Sequence, residues 1–141
     1  MRAVQKDLEF IGDSGCYFLS IIEAANRFSK VEVDIYKAYK TAIASGWMTD
    51  ACYINNPDKL MAALTNRHWT VTKEDKLYRA AAGEIVILRF ERTVKRGMKD
   101  EIIGHFVLAG PDGAVAYDPY GQSETVRSGK LISKRVFRLI W

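Results

Sequence analysis

Two cysteines and two histidines, Cys16, Cys52, His68 and His105, are the side chains of this 141-residue chain best suited to nucleophilic or metal chemistry. A thiol attacks as its thiolate, and the start of a helix favours that form through unpaired N–H groups and the helix dipole. Cys16 stands in Asp13-Ser14-Gly15-Cys16-Tyr17, just ahead of Phe18, Ile21, Ile22, Ala25 and Phe28, which recur at three- and four-residue steps. With Asp13 or Ser14 as N-cap, the sulfur falls in the first helical turn. The same N–H groups could donate to an oxyanion, and Gly15 leaves room for a substrate to approach the backbone. The plainer account is that Cys16 is a small buried hydrophobe on a core helix.

A base and an orienting acid come from Gly104–Gly121, which reads as strand, tight turn, strand. If Gly110–Gly113 is the loop and Ala109 pairs with Ala114, His105 lies directly opposite Asp118. A two-residue Asp112-Gly113 turn instead sets Tyr120 opposite His105 and makes Asp118 a diagonal neighbour. Both registers keep the pair on one face, where the carboxylate can accept the imidazole N–H and favour the protonated ring. Each residue also has a structural account: Asp118-Pro119-Tyr120-Gly121 is a good β-turn, and His105 fits an ordinary strand histidine. Together with a helix-terminal thiol they supply nucleophile (Cys16), base (His105) and orienter (Asp118).

The remaining candidates point elsewhere. The order C-x35-C-x15-H-x36-H lacks the close ligand pairs of structural zinc, so no metal is expected. Cys52, between two helices, reads as a packing residue, and nothing local brings it to His68 at the start of a strand. Trp47, Trp69, Tyr53 and Tyr120 are candidates to line a cleft, although large aromatics more often fill cores.

These residues are positioned by elements whose character changes near residue 68. Before it the pattern is helical: a helix capped at Asp13 or Ser14 that carries Phe18 to Phe28, a second from about Val33 or Asp34 to Ser45 with Gly46 as its terminating glycine, and a third opened by Asn56-Pro57. After it come β-branched and aromatic runs at His68–Thr72, Glu84–Arg92, Ile102–Ala109, Ala114–Asp118 and Leu131–Ile140, with Lys76–Ala82 compatible with a helical turn or a loop. Helices first and strands second predict one α+β domain, residues 1–141, with N-terminal helices packed on a C-terminal antiparallel sheet.

Composition sets outer bounds. Hydrophobic residues make up 48% and charged residues 27%, the balance of a globular domain large enough to fold without a disulfide framework. The net charge of +4 is concentrated in Arg89–Lys99 and in the tail from Gln122, which reads mainly as solvated strand edges and loops. Nucleic-acid binding by basic strands ranks well behind the other readings. No apolar run suits a signal peptide or a membrane span, so a cytoplasmic location without membrane contact is the expectation.

DSGCYFLSII followed by GHFVLAGPDGAVAYDPYG resembles the papain-like cysteine peptidases, and most closely the compact bacterial and phage C39-like, or bacteriocin-processing-type, members. The resemblance implies a papain-like fold with Cys16 as nucleophile, His105 as base and acid, and Asp118 as orienter, framed by Gly104, Pro119 and Gly121. It further implies a peptide or protein substrate cleaved at an amide bond, without a cofactor. The family often carries an oxyanion-hole glutamine six residues before its cysteine. That position is Phe10 here, and the only upstream candidate is Gln5. The departure keeps a second function in view, a catalytically silent papain-like domain that binds or inhibits a partner.

Overall fold

The structure, a computed structural model, describes residues 6–7, 9, 11–12 and 15–140. The expected capping residues Asp13 and Ser14 lie outside this set, as does Gln5. Gly15 occupies the N-cap position of α1 (Cys16–Ser29), which makes Cys16 the first helical residue. The Gly15 N–H donates to the Ile11 carbonyl at 2.7 Å, and its own carbonyl accepts from the Leu19 N–H at 2.7 Å. A Cβ on Gly15 would run into the Ile11 carbonyl oxygen, so close backbone approach requires glycine there. Phe18, Ile21, Ile22 and Ala25 form the buried face of α1, whereas Phe28 is half-exposed and meets Trp69 edge-on.

Helix α2 (Ile35–Ala44) starts at Asp34, whose carboxylate accepts the Lys37 N–H at 3.1 Å. It ends where Gly46 takes a φ of 78°, a conformation that glycine adopts without strain. Helix α3 (Pro57–Thr65) begins at Asn56-Pro57 as its sequence predicts, although the Asn56 side chain makes no capping bond. Here the fixed φ of proline at the first helical position favours the start.

Strands β1 (His68–Asp75), β2 (Ile85–Arg96), β3 (Lys99–Ala109), β4 (Val115–Tyr117) and β5 (Lys130–Ile140) form one antiparallel sheet in the order β1-β5-β2-β3-β4. The expected α+β architecture, N-terminal helices on an antiparallel sheet, is therefore present. Two elements differ from expectation. β2 and β3 run on to a tight hairpin at Gly97-Met98, with Gly97 at φ 66°, since an exposed hairpin end accepts charged residues as readily as a loop does. Residues 124–128 form a short helix, α4 (Glu124–Ser128), capped by the Ser123 hydroxyl accepting the Val126 N–H. Residues 76–82 are a loop, tied down by Glu84 accepting from the Ala81 N–H and the Tyr78 hydroxyl.

Both faces of the sheet are covered. Ile87, Phe106, Leu108 and Phe137 join the helices in the main core, while Val86, Leu88, Val107 and Val136 pack on the other face with Tyr78 and Val126. Burial on both sides explains why Ile85-Val86-Ile87-Leu88 is apolar throughout instead of alternating. Among the described residues, no helix is long and apolar enough to cross a membrane.

A buried hydroxyl on α1 joins the helix to the sheet. Ser20 is fully buried, and its hydroxyl donates to the Phe106 carbonyl at 3.3 Å. Ser20→Ala removes that donor from a buried acceptor, and urea unfolding should show a loss of about 1–3 kcal/mol. An unchanged midpoint would mean that another group satisfies the carbonyl.

Candidate active site

The hairpin that carries His105 and Asp118 combines features of both expected registers. Gly110–Gly113 is the turn, closed by the Gly113 N–H on the Gly110 carbonyl at 3.0 Å, with Gly113 at φ 84°. Ala109 pairs with Val115 rather than Ala114, and Leu108 with Tyr117, so the second strand carries a bulge. Carried onward, this register sets Tyr120 across from His105 and Asp118 on the diagonal. The Tyr120 ring stacks on the imidazole, with centroids 4.4 Å apart and planes at 18°. Asp118 Oδ1 lies 2.6 Å from His105 Nε2.

Because β4 pairs only with Leu108 and Ala109, it does not reach β3 at Phe106. There α1 takes the place of a neighbouring strand. In an antiparallel ladder one residue's N–H and C=O point to the same side, and for Phe106 both turn to the helix. The carbonyl accepts from Ser20, and the N–H lies near the Cys16 sulfur, where it favours the thiolate. Cys16 and Ser20 are one helical turn apart, so two successive rungs of α1 grip the residue that follows His105.

Three titrations are coupled at this junction. Burial pushes the Cys16 thiol up, but the nearby His105 ring and its charge, with the Phe106 and Tyr17 N–H groups, outweigh it and hold the thiol below its usual 9.0. Burial disfavours the imidazolium of His105, yet Cys16 and Asp118 together raise the ring above 6.5. Asp118 is also opposed by burial, but His105 and the N–H groups of Tyr120 (2.9 Å) and Ser123 (3.1 Å) keep its carboxyl below 3.8. With Nε2 committed to Asp118, Nδ1 is the ring nitrogen left for the thiol. It is buried and makes no hydrogen bond of good geometry, so the coupling to sulfur is through a loose contact. Loose contacts of this kind often tighten when substrate binds.

The other expected residues fall outside this constellation. Cys52 is buried in the helical core, as its packing role predicts, with a φ of 63° that the sequence did not signal. Burial, followed by the nearby Cys16, pushes its thiol up to about 11. His68 is exposed at the start of the edge strand β1. Trp69 is a core residue, Trp47 packs half-buried against the core and Tyr53 is exposed, so of the four aromatic candidates only Tyr120 adjoins His105. No group of three or more potential metal ligands occurs among the described residues. Lys134 and Arg135, as neighbours in a strand, project to opposite faces, which divides the tail's positive charge. A cavity of about 870 Å³ lies between α1, the 78–84 loop and the Gly110–Gly113 turn, away from Cys16. Ser20 was not singled out from sequence; its signal is a lone hydroxyl on the apolar face, four residues after Cys16.

The His105–Asp118 pair predicts a particular pH dependence of stability. His105 has a raised value, so its contribution is complete below 6.5 and is lost as pH rises through that raised value. Asp118 has a depressed value, so its contribution is complete above 3.8 and is lost as pH falls through it. Both side chains are almost wholly buried. Asp118→Asn should therefore cost about 3–5 kcal/mol between about pH 4 and 6.5. Denaturant unfolding across pH should show the gap to wild type narrowing on either side, and a gap independent of pH would contradict the charge assignment.

Neither the curated proteins nor the solved structures give a match to the chain. Residues 1–139 match DUF261, described as a protein of unknown function. That match spans nearly the whole sequence, both helices and sheet, and the chain belongs to the DUF261 family.

Proposed function

We propose that this protein is a papain-like cysteine hydrolase that cleaves a peptide or other amide bond, with Cys16 as nucleophile, His105 as base and acid, and Asp118 as orienter. The observation that carries the reading is a helix-terminal thiol, lowered below its usual pKa, coupled to an imidazole that a buried carboxylate holds at 2.6 Å. Thiolate and imidazolium form the starting pair. The sulfur attacks the carbonyl carbon, an S–C bond forms, and the carbonyl π pair moves to oxygen. N–H groups at the start of α1 stabilise that oxyanion. As the C–N bond breaks, the imidazolium gives its proton to the departing amine. Water then attacks the thioester while His105 takes its proton, and the sulfur leaves with its electron pair, releasing the acid.

A second reading, a silent papain-like domain that binds a partner, draws on one observation. His105 is only 1% exposed and lies under Tyr120, so its access is restricted. The two readings separate on the thiol itself. Iodoacetamide at neutral pH should alkylate Cys16 and spare Cys52 in the native protein, as peptide mapping would show. His105→Ala should shift the alkylation profile to higher pH, because it leaves burial as the leading influence on the thiol. On a cleaved peptide, Cys16→Ala should abolish turnover and Asp118→Asn should slow it on the order of 10²–10⁴-fold. A native Cys16 that resists alkylation would remove the hydrolase reading.

A further inference from the structure

The junction that holds Cys16 has a second set of partners on the helix-facing side of the sheet. Phe106 pairs with Arg89 on β2, and Arg135 on β5 pairs with Ile87, so both arginines share the face of Phe106. Their guanidinium carbons lie 4.8 Å (Arg89) and 5.3 Å (Arg135) from the Phe106 ring centroid. The Tyr17 ring stacks on Phe106 at 4.3 Å with planes at 15°. A Cβ on Gly104 would run into the Arg89 guanidinium, so that group lies directly against the strand beside His105. The cluster thus adjoins the residues that follow Cys16 and flank His105.

Its charges are incompletely matched. Arg89 has Glu91 as a partner only at a long 3.4 Å. Arg135 donates to the Ser133 hydroxyl at 2.8 Å and, among the described residues, pairs with no carboxylate. Burial, and then the like charge of Arg89, disfavour its charged state. The Tyr17 hydroxyl is buried without a hydrogen-bond partner, and burial pushes its pKa well up, so it remains a donor. Buried donors of this kind ordinarily have acceptors. Two guanidiniums and one carboxylate leave a single positive charge, suited to a monoanion, and a planar guanidinium fork matches a carboxylate. The Arg89 side chain is 28% exposed, so a ligand meets the cluster from its Arg89 side, with the buried Tyr17 hydroxyl behind it.

We propose that Arg89, Arg135 and the Tyr17 hydroxyl form a carboxylate-binding subsite beside Cys16, which selects amide substrates carrying an acidic group next to the bond that is cleaved. The link to substrate rests on Cys16 acting as the nucleophile; carboxylate binding itself does not.

Two measurements separate these parts. Iodoacetate and iodoacetamide react alike, the sulfur pair displacing iodide as an S–C bond forms and the C–I bond breaks, but only iodoacetate carries a carboxylate. The iodoacetate-to-iodoacetamide rate ratio at Cys16 should exceed that of N-acetylcysteine and fall about tenfold in Arg135→Gln and in Arg89→Gln, the scale of one charge-assisted hydrogen bond. Taking the ratio cancels changes in the thiolate's own reactivity, and two variants guard against one that fails to fold. A wild-type ratio equal to that of N-acetylcysteine, or unchanged in both variants, overturns the proposal. Independently of the thiol, N-acetylglutamate at matched ionic strength should raise the Tm of Cys16→Ala by about 2–4 °C and have no such effect on C16A/R135Q. Absence of the shift in Cys16→Ala overturns carboxylate binding. A shift combined with a Cys16 that neither reagent alkylates sustains the binding site and overturns the hydrolase reading alone.

Discussion

The backbone of Phe106 is the point on which the candidate site depends. A strand next to an unpaired edge must find partners for the groups that edge exposes. β4 is too short to supply them at Phe106, where α1 brings the Ser20 hydroxyl to the carbonyl and the Cys16 sulfur near the N–H. The same junction thus docks the helix on the sheet and brings the thiol to the histidine next along the strand. Helix register and strand register are locked together there, and a shift in either would separate Cys16 from His105.

The electrostatics follow from this docking. All three groups pay for burial, which alone would raise the thiol and the carboxyl and lower the imidazole. Each is displaced the opposite way because its neighbours favour its charged form. The Asp118 carboxylate is itself held by the N–H groups of Tyr120 and Ser123. The turn that gives Asp118 its plain structural account is therefore also what fixes the carboxylate against the ring. Tyr120 closes the arrangement from above the imidazole. Cys52 shows the contrast: a thiol close by in the helical core, without such partners, is pushed up to about 11.

Legibility in the sequence varied with the range of the interaction responsible. Asp34 as a cap, Gly46 as a terminator and Asn56-Pro57 as a start act within a few residues, and each marked its helix. The apolar runs of β2, β3 and β5 identified strands because burial on two faces demands them. The β2–β3 hairpin beyond Arg92 was obscured because its outer part is exposed, where charged residues satisfy a strand as well as a loop. Helix α4 was hidden in a basic tail, its signal reduced to one serine cap over five residues.

By itself, then, the sequence determined the order of elements, the α+β class, a cysteine in a first helical turn, and a histidine and an aspartate on one face of a hairpin. These follow from local propensity, caps and the two-residue period of a strand. Only the tertiary structure decided which hairpin register holds and that Ser20 and Cys16 meet at the same residue of β3. It also decided that Arg89, Arg135 and Tyr17 converge on Phe106. Those outcomes depend on a one-residue bulge and on how far β4 extends, and they join residues up to 118 positions apart, from Tyr17 to Arg135. No local pattern carries such information, because the free energy that selects them is released only when helix and sheet pack together.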